Sequence, residues 1–72
     1  MNLRPIDSSN ISGASYNPNA GTLTIQFHSG GVYEYHGVAP EIAEKFFDAD
    51  SKGGFFHEHI KSNYSFKKVG GN

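Results

Sequence analysis

The chain of 72 residues contains no cysteine and no tryptophan. Without a thiol there is no disulfide staple, no thiolate metal ligand and no cysteine nucleophile. No apolar run approaches the roughly 18 residues of a membrane-spanning helix. The opening "MNLRPIDSSN" lacks the apolar stretch of a secretory signal. The expectation is a soluble, cytoplasmic protein without membrane contact. Strong net charge is missing too: six Lys and Arg stand against seven Asp and Glu, for a formal charge of −1. A general nucleic-acid binder presents a clearly basic face, so this balance speaks against one. There is no internal repeat and no room for a second domain. A chain this short buries only about 60% of its unfolded surface.

Aromatic residues are plentiful by contrast, with six Phe and four Tyr making up the whole of a 14% aromatic share. In a small chain such rings do much of the core filling. Charge is also unevenly spread. From Ser51 onward Lys52, Lys61, Lys67 and Lys68 face Glu58 alone, whereas six of the seven acids precede Ser51. Either the lysines keep a polar tail soluble, or the last third of the chain meets an anionic partner.

The alternation of Leu23, Ile25 and Phe27 with Thr22, Thr24 and Gln26 predicts a half-buried strand. Pro18-Asn19-Ala20-Gly21 before it is a four-residue turn. That turn sets Tyr16 opposite Leu23 and Ala14 opposite Ile25 on a first strand near Ile11–Tyr16. Ile11 then keeps to the core face only if Gly13 carries a bulge.

A third strand runs from Val32 to His36, and the turn before it decides where Tyr33 and Tyr35 point. A Ser29-Gly30 loop puts Glu34 among the apolar side chains, and burying an unpaired carboxylate is costly. A Ser29-Gly30-Gly31 loop pairs Phe27 with Tyr33 and Ile25 with Tyr35, with Gly31 left-handed. We expect this second register, with the tyrosine rings mainly in the core and their hydroxyls at its rim. The polar face then carries Thr24, Gln26, Glu34 and His36. Glu34 and His36 flank Tyr35 as a formal acid–base pair, but a flat sheet face offers no pocket.

Pro40 suits a first helical position, Glu41 follows in the first turn, and Ile42, Phe46 and Ala49 share a face. Ser51 is a suitable cap for a second helix carrying Phe55, Phe56 and Ile60. Gly53 and Gly54 in its first turn each cost about 1 kcal/mol of helix propensity. Tyr64 and Phe66 follow on a turn or short edge strand. The predicted fold class is α+β: a three-stranded antiparallel meander followed by two short helices packed on one face. An arm over residues 1–8 precedes a core over about 9–64, and a polar tail covers 67–72.

Four histidines, His28, His36, His57 and His59, do not have metal-site spacing; His57 and His59 point roughly 200° apart on a helix. No metal, cofactor or catalytic residue is expected. Ser51, Lys52, Gly53 and Gly54 are the candidate phosphate contacts, because open backbone N–H groups at a helix start favour anions. Tight packing is the competing reason for the two glycines. Lys61, Lys67 and Lys68 complete the candidate set.

Read in order, Ser9, Ile11, Tyr16, the Phe27–Gly30 turn, Tyr33-Glu34-Tyr35, Val38, Pro40, Ser51-Lys52-Gly53, Phe56, Ile60 and Tyr64 resemble the KTSC domain family over about Ser8 to Tyr64. The family takes its name from the C-terminus of some lysyl-tRNA synthetases and also occurs as stand-alone bacterial and phage proteins. Ala39 departs from the family habit of placing Pro directly after Val. The resemblance implies RNA as a partner through the synthetase association, with no assigned activity. The expectation is therefore a small non-catalytic module contacting RNA or a nucleotide-like phosphate ligand. The alternative is a protein-interaction or inhibitor module of phage type, monomeric or homodimeric, acting through an exposed sheet edge.

Overall fold

The alternating segment Thr22–Phe27 forms strand β3, and the turn chemistry around it builds the rest of the sheet. The computed structural model describes residues 3–71. The elements are β1 (Arg4–Pro5), β2 (Ile11–Asn17), β3 (Thr22–Phe27), β4 (Val32–Tyr35), helix α1 (Pro40–Asp48), helix α2 (Lys52–Phe55), a π-helical turn (Phe56–Ile60) and β5 (Phe66–Gly70). All strands are antiparallel in the order β1-β2-β3-β4-β5. The sheet thus has five strands rather than three. Arg4 and Pro5 of the expected arm pair with Ala14 and Gly13. The expected tail pairs with β4 through Lys67, Lys68 and Gly70, continuing from Phe66.

Between β2 and β3, Tyr16 faces Leu23 and Ala14 faces Ile25, and the register shifts between Ile11 and Gly13. That bulge returns Ile11 to the core face, where it is fully buried. Gly21, at φ 66°, closes the turn. Between β3 and β4 the tyrosines take the expected face in a different register. Ile25 pairs with Tyr33 and Leu23 with Tyr35. The loop is His28-Ser29-Gly30, closed by the Phe27 N–H donating to the Gly31 carbonyl and the Gly30 N–H to the Phe27 carbonyl, both at 2.9 Å. Gly30, not Gly31, holds the positive φ, at 105°. The slip amounts to two residues, so side-chain parity survives.

One face of the sheet is covered by the helical segment. Leu23, Ile25, Tyr35, Val38, Ala43, Phe46, Phe56 and Ile60 lie in a single buried cluster with Ile6 and Ile11. Pro40 starts α1 at its first position. Tyr16 donates its hydroxyl to the Val38 carbonyl at 2.6 Å and fixes the approach to α1. The Arg4 guanidinium lies 4.4 Å from the centre of the Phe47 ring, holding β1 against α1. No helix among the described residues is long and apolar enough to cross a membrane.

The second helix departs from the expected form. Ser51 caps it, its Oγ accepting from the Gly54 N–H at 3.2 Å. After a single α turn the backbone widens, and the Lys61 N–H donates to the Phe56 carbonyl five residues back. In an ideal α-helix Lys61 would sit roughly 140° around the axis from Phe56. Closing the ring over five residues instead stacks Lys61 above Phe56.

Candidate functional site

The predicted phosphate contacts do not gather in one place: Ser51, Lys52, Gly53 and Gly54 line one hollow, and Lys61 shares another with Gly53 alone of that set. Lys52 donates its ammonium to the Ala49 carbonyl at 3.0 Å, at the end of α1. The hollow around Ser51, Lys52, Gly53 and Gly54 is also lined by Asp7 and Asp50, two carboxylates that repel an anion. Packing accounts for both glycines. A Cβ at Gly53 would meet the Ser8 hydroxyl at 3.0 Å, and one at Gly54 would meet the Ser51 hydroxyl at 2.9 Å. Ser8 holds the Asn10 and Ile11 N–H groups through that same hydroxyl. Lys67 stands opposite Glu34, on the sheet face away from the helices. Lys68 stands opposite Tyr33, on the helix-side face.

Lys61 is placed differently. It lines two adjoining clefts that also share Phe27, Ser29 and Phe56. The first, about 400 Å³, lies between the β3–β4 loop and the π turn and is completed by Ser9, Asn10, Ile11, His28, Gly53 and His57. The second, about 410 Å³, is completed by Tyr33, Tyr35, Ser62 and Phe66. Both volumes fall in the range of small-ligand sites, roughly 300–1,000 Å³. No carboxylate lines either one.

The second cleft is an aromatic bowl. Phe27 meets Tyr33 and Phe56 edge to face, with ring centres 5.6 and 5.5 Å apart. Tyr35 meets Phe56 the same way at 5.2 Å. Phe66 closes the far side, 5.8 Å from Tyr33 and 5.5 Å from Tyr35, yet it remains 57% exposed. Sequence reasoning missed this convergence. Phe27 and the tyrosines share a face by alternation, but Phe66 joins them only because β5 pairs with β4.

Tyr35 is 4% exposed. Burial, with the neighbouring Tyr33 adding to it, pushes its hydroxyl above the usual tyrosine range. Among the described residues the Tyr16 hydroxyl has a partner within the chain, and that of Tyr35 has none. Among the described residues no fully buried side-chain oxygen or nitrogen is left without a partner, so the Tyr35 hydroxyl keeps a small contact with solvent.

The histidines have separate local roles. His28 donates through Nε2 to the Ser8 carbonyl at 2.7 Å, tying the β3–β4 loop to the N-terminal segment. His59 lies against the Phe55 ring at 4.6 Å, whereas His57 lines the first cleft. Among the described residues no three His, Asp or Glu side chains converge where a metal ion could sit.

Comparison with known proteins gives a consistent answer. The KTSC domain model matches residues 7–64. The lysine–tRNA ligase of Nostoc punctiforme is 42% identical over 67 residues, 93% of this chain and 12% of that protein. The chain thus corresponds to a small fraction of the ligases it matches. An uncharacterised protein of Stutzerimonas stutzeri is 32% identical over 59 residues, covering 82% of this chain and 83% of that one. The crystal structure of a KTSC domain protein from Yersinia pestis superposes with a TM-score of 0.92 at 38% identity, covering 96% of this chain and 97% of that one.

Proposed function

The chain belongs to the KTSC domain family, and from that premise we propose that it is a small, non-catalytic binding module for RNA or a nucleotide-like phosphate ligand, working in the cytoplasm. The observation that carries this reading is the bowl of Phe27, Tyr33, Tyr35, Phe56 and Phe66 with Lys61 at its edge. Aromatic faces beside a cation suit nucleic acid, because bases stack on rings whatever their sequence while the ammonium meets phosphate. The match to lysine–tRNA ligases, proteins whose name includes an RNA, supports the same choice. Of the lysines in the sequence, Lys61 and then Lys68 take the electrostatic role in this reading.

A fluorescent single-stranded RNA titrated at low salt tests it. Binding is expected to weaken as salt rises, with a logarithmic slope of about −0.7 per phosphate neutralised. Lys61→Ala is expected to weaken binding and flatten that slope, while Lys52→Ala leaves both unchanged. No binding at low salt, or binding indifferent to Lys61, defeats the reading.

A second reading, a protein-interaction module, has one observation of its own. The outer strand β5 exposes Phe66 and Val69, and a free edge can add a strand from a partner or a second copy. Light scattering distinguishes the two: a dimer without RNA affinity favours the second.

A further inference from the structure

We infer that the two adjoining clefts form one bipartite site for a single unpaired nucleotide, its base in the aromatic bowl and its phosphate beside Lys61 and His57. This rests on the RNA reading above and names the unit that the site accepts. The bowl is walled by packed rings, with the exposed Phe66 ring on its far side against both tyrosines. The exposed ring of Phe66 offers a stacking surface that suits an aromatic heterocycle.

Its lining is not purely apolar, because Tyr35 contributes to it and the Tyr35 hydroxyl has no partner among the described residues. An aliphatic side chain or an acyl tail would cover that hydroxyl and leave it unpaired, which is costly. A base carries donors and acceptors around its edge and satisfies it.

The neighbouring cleft has the opposite character. Ser9, Asn10, Ser29 and His57 supply polar groups around Lys61, and no carboxylate intrudes. The hollow lined by Asp7 and Asp50 adjoins it through Ser9, Asn10 and Gly53 but does not include Lys61. Lys61 belongs to both clefts, so one side chain serves the junction between base and phosphate. A base inside a duplex is stacked on both sides and paired along its edge, so only an unpaired one can enter.

Three probes test this: a 5′-phosphorylated single-stranded RNA octamer, a blunt RNA hairpin, and adenosine 5′-monophosphate. Anisotropy competition gives affinities, and amide chemical shifts give the location. The octamer is expected to bind at least about tenfold more tightly than the hairpin. Its shifts should cluster at Phe27, Tyr35, Lys61 and Phe66. Phe66→Ala, at an exposed position, should keep the fold and lose about tenfold or more, within the range of stacking on one ring. Phe66→Tyr should restore binding. Adenosine monophosphate as tight as the octamer identifies a free nucleotide as ligand, and weaker binding in the same clefts identifies a nucleotide within a strand. A hairpin that binds as tightly as the octamer, an unaffected Phe66→Ala, or monophosphate shifts outside the clefts overturns the inference while leaving RNA binding in place. Failure of every RNA probe instead removes the reading on which it rests.

Discussion

Gly54 and Ser51 are expected to be coupled by about 1 kcal/mol, because one hydroxyl stands where a methyl group would go. Alanine is better than glycine inside a helix by about 1 kcal/mol. A Cβ at position 54 would lie 2.9 Å from the Ser51 hydroxyl, which must then leave the Gly54 N–H that it caps at 3.2 Å. Losing a serine cap costs about 1 kcal/mol. The two effects nearly cancel, so Gly54→Ala alone should change stability by no more than about 0.5 kcal/mol.

Ser51→Ala alone should lose the full cap. In that background the obstruction is gone, and adding Gly54→Ala should recover about 1 kcal/mol. For a domain of this size 1 kcal/mol moves the melting temperature by about 4–8 °C, so thermal melts of the four proteins resolve the cycle. If Gly54→Ala raises the melting temperature equally in both backgrounds, the hydroxyl and the glycine do not compete, and the steric reason for a glycine here is refuted.

Two further outcomes follow from burial. Phe46 is fully buried, so Phe46→Ala should cost about 3–5 kcal/mol. That is a large part of the roughly 4–11 kcal/mol expected for a chain this long, and a loss below about 1.5 kcal/mol in urea melts would show that the ring is not embedded as described. Tyr35 holds its proton to higher pH when folded than when unfolded, so the unfolded chain ionises first. The stability this confers is fully present below about pH 10, the ordinary tyrosine value, and is lost as pH rises through the folded one. Melts between about pH 9 and 11 should fall more steeply for the natural chain than for Tyr35→Phe, and parallel curves would contradict the assignment.

How much of this was readable in advance depended on what kind of signal each element carried. Parity along a strand is a local property, so Leu23, Ile25, Phe27, Tyr33 and Tyr35 fell on one face whichever even register the turn chose. The choice between Gly30 and Gly31 as the left-handed residue was not local. Both can adopt it, and the pairing that won also brings Phe27 against Gly31. Strand β5 was anticipated only as a turn or short edge strand at Tyr64 and Phe66, because Phe66-Lys67-Lys68-Val69-Gly70 is mostly exposed. It becomes a strand because β4 offers a free edge, which no pattern within those five residues announces. The π turn was hidden for a related reason: Phe56 and Ile60 fit an α-helix equally well, and only the Lys61 N–H bond to Phe56 reveals the extra residue. Since β5 delivers Phe66 and the π turn delivers Lys61, the two least legible elements are the ones that complete the clefts.

Strand β5 also differs from the others in how it is tethered. The β2–β3 and β3–β4 pairs join chain neighbours through tight turns, whereas β5 returns to β4 only after the whole helical segment. Strand β5 is also largely exposed, so little burial holds it to β4. It therefore opens at a lower free energy than the central strands, with its amides exchanging before those of β3. Phe66 leaves with it, so opening removes one wall of the bowl while Leu23, Ile25 and Phe46 stay in place. Any ligand resting on Phe66 draws on the closed population alone and adds its own binding energy to keeping the strand shut. Occupancy of the cleft is in this way registered as slowed exchange along an edge strand, most of whose residues the ligand never touches.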